Sequence, residues 1–114
     1  NLYKSEINKI NGLKILSSPN KCKSNHWLNI LVVDKKKYGL SKNQIIKRFA
    51  TRSIETRSLW FPNHLQKPFK LYESFDVKNS SKMFNSCLCL PSSYSLKRKE
   101  QKKIIHFLNK KFKN

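Results

Sequence analysis

Acidic side chains are scarce in this sequence. Six Asp and Glu stand against 25 Lys and Arg in 114 residues, a formal net charge of +19. A surplus of that size favours polyanionic partners where it is gathered on one face. Here lysine recurs along the whole chain, at Lys35 to Lys37, Lys97 to Lys103 and Lys110 to Lys113. A small basic nucleic-acid-binding module, in which Trp27, Trp60, Phe61 and Phe69 interleaved with lysines would stack bases, is therefore the weaker reading, and direct nucleic-acid binding is not expected. Long apolar runs are missing too. None approaches the ~20 residues that cross a bilayer, and the opening NLYKSEINKI has no apolar core of the kind that directs secretion. Cysteine is limited to Cys22, Cys87 and Cys89, an odd number at no disulfide-framework spacing. A reduced, cytoplasmic setting fits that usage. Cys22, His26, Cys87 and Cys89 make a four-ligand set on paper only, because a paired C-x-x-C is absent, and no metal site is expected.

What is present amounts to one domain of ordinary size. Leu2 or Tyr3, Ile7 and Ile10 recur at helical spacing and stop at Asn11-Gly12. A chain opening in mid-helix without Met reads as a fragment or a trimmed domain. Leu13 to Leu16 is a short strand candidate, and Ser17 to Ser24 a turn-rich loop. The run His26 to Asp34, HWLNILVVD, predicts a central strand buried on both faces. Lys35 to Gly39 reads as a charged turn. Ser41 and Gln44 form a capping box, so a helix begins there with Ile45, Ile46 and Phe49 inward. Arg52 to Leu59 returns as a strand, which makes a split or ordinary crossover unit. Val77 to Ser86 predicts a short helix with Met83 and Phe84 inward, and Cys87 to Leu90 a strand stopped by Pro91, Ser92 and Ser93. Ser95 is placed to cap a last helix, Leu96 to Phe112, whose inner stripe is Ile104, Ile105, Leu108 and Phe112. The fold class is α+β, with a small three- to four-stranded sheet packed with helices.

Ile54 to Phe69, IETRSLWFPNHLQKPF, holds the candidate site. Its first residues alternate as a strand, Ile54, Thr56 and Ser58 on one side and Glu55, Arg57 and Leu59 on the other. It then becomes too rich in rings and proline to stay regular. Arg57 can fork onto a phosphate or carboxylate, Trp60 offers a flat face to a sugar or base, and His64 and Gln66 can hydrogen-bond hydroxyl or carbonyl groups. The same residues also suit a strand end with an internally satisfied arginine.

Three segments in order, SNHWLNILVVD (Ser24 to Asp34), IETRSLWFPNHLQKPF (Ile54 to Phe69) and CLCLPSSYSL (Cys87 to Leu96), resemble the C-terminal small domain of the DegT/DnrJ/EryC1/StrS sugar aminotransferases. NLYKSEINKINGLKIL resembles the helix and strand leading into that domain, so the likeness covers nearly the whole chain. The family consists of pyridoxal-phosphate enzymes of aminotransferase fold type I, which aminate nucleotide-linked keto-sugars with glutamate as the usual donor. The resemblance implies that Arg57, Trp60 and His64 line the edge of the active site over the sugar-nucleotide, with Leu90 to Ser93 beneath them. Ser58 stands where the family often has proline, and the last helix opens with Lys97, Arg98 and Lys99 where acidic residues are usual. That charge opposes the helix dipole.

The resemblance also implies what is not here. In the family the Schiff-base lysine, the carboxylate facing the pyridine nitrogen and the phosphate cup lie in a large N-terminal domain. None of these 114 residues corresponds to it. The expectation is a substrate-side portion of a homodimeric parent enzyme, holding no catalytic residue, metal or cofactor of its own and inactive alone. A truncated, inactive remnant would read the same way.

Overall fold

The computed structural model describes residues 2–112; Lys113, the last of the lysines noted above, lies outside them. Among the described residues five α-helices and four strands follow one another: α1 (Leu2–Ile7), β1 (Leu13–Ile15), β2 (Asn29–Val33), α2 (Lys35–Tyr38), α3 (Lys42–Ala50), β3 (Arg57–Ser58), α4 (Lys78–Ser86), β4 (Cys87–Leu90) and α5 (Arg98–Asn109), with two short 3-10 turns, Asn63–Leu65 and Lys67–Phe69, between β3 and α4. The four strands form one sheet in the order β1-β2-β4-β3, every neighbouring pair antiparallel. The α+β class is as expected. β2 and β3 run the same way with β4 between them, so the unit β2-α3-β3 is the split form of the crossover.

Register explains where the core lies. Leu13 pairs with Val33, Ile15 with Leu31, Leu31 with Leu88 and Asn29 with Leu90, which puts these side chains on one face. Tyr3 and Ile7 of α1, Ile45 and Phe49 of α3, and Ile104 and Leu108 of α5 cover that face. The opposite face carries Ile30, Val32, Cys87 and Cys89, with Arg57 directly across from Cys89. It is only half covered: Cys87 is buried against Met83 of α4, while Ile30, Val32 and Cys89 remain half-buried.

Several elements are shorter than their sequence suggests, each for a local reason. β2 starts only at Asn29, since His26 has a left-handed φ of 55° and the Trp27 N–H donates to Asn25 Oδ1 at 3.0 Å. Its side chains alternate between buried and half-buried, so it is central without being sealed on both faces. Lys35 to Tyr38 is one helical turn instead of a loose turn. Asp34 Oδ1 accepts from the N–H groups of Lys36 and Lys37, and Gly39 closes the turn at φ 91°. The Ser41 and Gln44 capping box forms as its spacing predicts.

The strand expected over Arg52 to Leu59 shrinks to Arg57–Ser58. The end of α3 consumes the difference: Ile54 N–H donates to Phe49 O and Ser53 N–H to Ala50 O, with Ser53 at φ 54°. That is the six-to-one and five-to-two pattern of a helix stop. Ser95 is not the cap of α5. Lys97 holds that place, its N–H donating to Glu100 Oε2 at 2.7 Å, and the Glu100 carboxylate offsets the basic first turn. α5 ends at Asn109, and Phe112 returns to the core through a second such stop, Phe112 N–H to Phe107 O. Met83 and Phe84 do face inward from α4, half-buried.

Tyr38 ties this layer together. It is fully buried, its Oη donates to Leu108 O at 2.7 Å, and burial pushes its hydroxyl from the ordinary 10 up to about 12. The folded value lies above the unfolded one, so this stability is complete below pH 10 and is lost as pH rises from 10 toward 12. A shift of about 2 units corresponds to roughly 3 kcal/mol. Tyr3, bonded to Pro91 O, is raised by burial as well and adds to the same alkaline loss. Urea midpoints measured on either side of this window are expected to fall steeply for the parent and less steeply for Tyr38→Phe. Identical slopes for the two would contradict the assignment.

Candidate functional site

An open groove of about 680 Å³ runs along the β3 edge of the sheet. It is lined by Glu55, Thr56 and Arg57 on one side, by Leu90 to Ser93 from the end of β4, and by Arg52, Glu100 and Lys103. β3 is too short to carry this alone. The helix stop after α3 delivers residues 54–57 to the edge, and Pro91 ends β4 so that the hydroxyls of Ser92 and Ser93 are free of the ladder.

Arg57 is exposed and paired. Its Nε and Nη2 both donate to Glu55 Oε1, at 2.8 and 2.6 Å, and the two side chains are 79% and 74% accessible. An exposed pair of this kind contributes about 0–1 kcal/mol. The guanidinium can therefore trade Glu55 for another anion at small cost, and its bidentate fork suits a phosphate or carboxylate. Beside it, Thr56 Oγ1 is the buried side-chain polar atom that lacks a hydrogen-bond partner among the described residues. An unmatched buried hydroxyl costs roughly 1–3 kcal/mol.

Trp60 lies 66% exposed and touches Trp27, itself 70% exposed, with ring centroids 6.2 Å apart and planes tilted by 47°. Ser92 Oγ donates to Trp27 O at 2.7 Å, which fastens this pair to the end of β4. The loop beyond is braced from within. Phe61 meets Phe84 of α4 edge to face at 5.1 Å, and Gln66 Nε2 donates to Phe61 O and Asn63 Oδ1. Half of the hydrogen-bonding capacity that the sequence attributes to Gln66 thus serves the loop itself. His64 Nε2 lies 3.1 Å from Ser81 Oγ of α4, and the ring lines a different cavity of about 440 Å³, shared with Phe69, Tyr72 and Phe75. The structure thus joins Arg57 to Leu90 to Ser93, and Trp60 to Trp27, which Ser92 holds, while His64 is turned toward α4. Trp27 as the partner of Trp60 escaped the reading of the central stretch, because 32 intervening residues separate the two rings and only the tertiary fold brings them together.

A cofactor aldehyde requires a lysine with a lowered pKa beside a held cofactor. Lys42 is the one buried lysine among the described residues, and burial lowers its pKa. Its Nζ donates to Phe84 O and rests 4.0 Å above the centre of the Phe84 ring, away from the groove. That position supports α4 and does not fit pyridoxal phosphate. The described residues contain no cluster of three or more His, Cys, Asp or Glu able to hold a metal ion, and no described helix is long and apolar enough to cross a membrane. The exposed lysines are distributed over all five helices, β1 and the loops between elements.

Comparison with known proteins places this geometry. A model of the DegT/DnrJ/EryC1/StrS aminotransferase family matches residues 1–109. EpsN of Bacillus subtilis (strain 168), named as a pyridoxal phosphate-dependent aminotransferase, is 33% identical over 110 residues, covering 93% of this chain and 28% of EpsN. The chain thus spans under a third of the length of that relative. A DegT DnrJ EryC1 StrS aminotransferase from Brucella abortus superposes with a TM-score of 0.81 at 17% identity, covering 99% of this chain and 29% of that one. DesI, solved in the presence of its TDP-sugar product, gives 0.83 at 13% identity over 96% of this chain and 29% of its own.

Proposed function

Because this chain belongs to the DegT/DnrJ/EryC1/StrS aminotransferase family, we propose that it forms the substrate-side portion of a sugar aminotransferase. The reaction moves an amino group, with glutamate as donor, onto a nucleotide-linked keto-sugar, in cytoplasmic synthesis of surface polysaccharide or a related glycan. The observation that carries the reading is Arg57, a fork suited to an anion, held in β3 by one weak exposed pair and lining one open groove with Ser92 and Ser93. In this reading Arg57 takes the negatively charged part of the substrate, Trp60 lies under a ring of it, and His64 orders the loop through Ser81 and is available to substrate as that loop shifts. Thr56 Oγ1 finds its missing partner in whatever completes the groove.

Pyridoxal phosphate supplies the electron sink for amino transfer when bound. We place it outside these 114 residues, in the remaining length that the relatives have, with two copies of the whole enzyme associating as a homodimer. The residues of this chain bind and orient. The lysines are scattered over helices, β1 and loops, and a stripe is what a nucleic-acid reader would show.

Two measurements test this. Mixing the chain with pyridoxal phosphate, reducing with borohydride and mapping peptides is expected to give scattered substoichiometric labelling; one lysine labelled to completion would overturn the placement of the cofactor. Arg57→Gln is expected to weaken binding of inorganic pyrophosphate by about tenfold or more, as loss of a charge-assisted bond predicts. Unchanged affinity in calorimetry would remove Arg57 from the site.

A further inference from the structure

We infer that Trp27 and Trp60 together form a stacking platform for the planar base of a nucleoside diphosphate, whose phosphates lie toward Arg57. This rests on the reading of the groove as the substrate side and adds to it the part of the substrate that each element takes. Two tryptophans in contact with each other are ordinarily drawn into a core, yet both of these remain about two-thirds exposed. Neither is loose. The Trp27 backbone is held at both ends, its N–H by Asn25 Oδ1 at 3.0 Å and its carbonyl by Ser92 Oγ at 2.7 Å. The preceding His26 adopts a left-handed φ of 55°, which side-chain-bearing residues rarely do, and its N–H donates to Ser24 Oγ. Trp60 is followed by Phe61, locked on Phe84. An exposed aromatic surface whose supports are fixed in advance loses little freedom on binding a flat ligand.

Geometry narrows the ligand further. A base sandwiched between two rings needs about 7 Å, twice the ~3.4 Å stacking repeat, and the indoles are 6.2 Å apart and already touching. The ligand therefore lies upon the pair, not between its members. Stacking of this kind accepts any base. A base is favoured over a bare sugar because the adjoining groove presents Arg57 and Lys103, beside the carboxylates of Glu55 and Glu100 that are already engaged with Arg57 and the start of α5. Such cations suit a ring that carries phosphates. Arg52 lines the groove too, but its guanidinium is bonded to Arg48 O and Phe112 O.

The chain contains only two tryptophans, so both indole N–H resonances report on the platform and on nothing else. The ¹⁵N-labelled chain is titrated with uridine diphosphate, with inorganic pyrophosphate and with a free hexose at matched ionic strength. The expected result is that uridine diphosphate shifts both indole signals and binds about tenfold tighter than pyrophosphate. Trp27→Leu and Trp60→Leu should each abolish that gain while leaving pyrophosphate affinity unchanged. Equal affinity for the two anions with the indoles unmoved overturns the platform and leaves the groove reading standing. Movement of the indoles by hexose alone overturns the base in favour of a sugar. Binding of none of the three overturns platform and groove together.

Discussion

Phe49→Ala is expected to lower the unfolding free energy by about 3–5 kcal/mol, the range for truncating a buried aromatic. That is a large fraction of the roughly 5–15 kcal/mol that a domain possesses. Phe49 is fully buried, packs edge to face on Phe112 at 4.8 Å, and faces the sheet between α3 and α5. Its carbonyl also accepts the Arg52 and Ile54 N–H groups, so it sits in the turn that sends the chain out toward Arg57. Losing the ring removes a core contact and loosens the support of the groove at once. Chemical denaturation should show a lower midpoint, and pyrophosphate affinity should weaken even where the variant is folded. A loss below about 1 kcal/mol would mean that Phe112 and its neighbours collapse into the space, contrary to the packing described.

Gly12→Ala is expected to be as damaging, for a reason that owes nothing to hydrophobic burial. Gly12 has φ 82°, and an added Cβ would collide with Tyr38 N and stand 2.9 Å from Lys37 C. Both are backbone atoms of α2 and cannot swing aside. The left-handed conformation itself costs a side-chain-bearing residue about 1–2 kcal/mol. The clash comes on top of that, and the Gly12 O to Asp34 N–H bond at 2.8 Å must shift as well. Gly39 supplies the control. Its φ is 91°, yet nothing lies within 4 Å of an added Cβ, so Gly39→Ala carries the conformational cost alone. The expected outcome is a loss of about 1–2 kcal/mol for Gly39→Ala and a much larger one, or failure to fold, for Gly12→Ala. Equal losses would show that α2 is not seated against Gly12 as described.

Much of the fold was legible because it is encoded locally. The capping box at Ser41 and Gln44 formed as spaced, the apolar stripe of α5 went inward at Ile104 and Leu108, and CLCL became a strand. Errors gathered at boundaries, where a backbone bond that no residue pattern announces decides the issue. The bond from Ile54 N–H to Phe49 O cut the third strand to two residues, and Glu100, not Ser95, chose the start of α5. The site was legible in part. Ile54 to Phe69 showed its chemistry as residue types, and Arg57 does line a groove with Leu90 to Ser93. Glu55 as the ion-pair partner of Arg57, Ser81 as the neighbour of His64 and Trp27 as the neighbour of Trp60 depend on how side chains turn and on contacts between distant segments.

By itself the sequence determined the α+β class, the family resemblance and the chemical inventory of the central stretch, since helix periodicity, caps and motif order are properties of residues near one another in the chain. Tertiary structure alone decided which of those residues share a surface. Inserting β4 between β2 and β3 brings the loop before Asn29, the segment leading into Arg57 and the end of β4 to the same end of the sheet, so that Ser92 meets both Trp27 and the groove of Arg57, and Trp60 reaches Trp27 through a ring contact that their distance along the chain could not express.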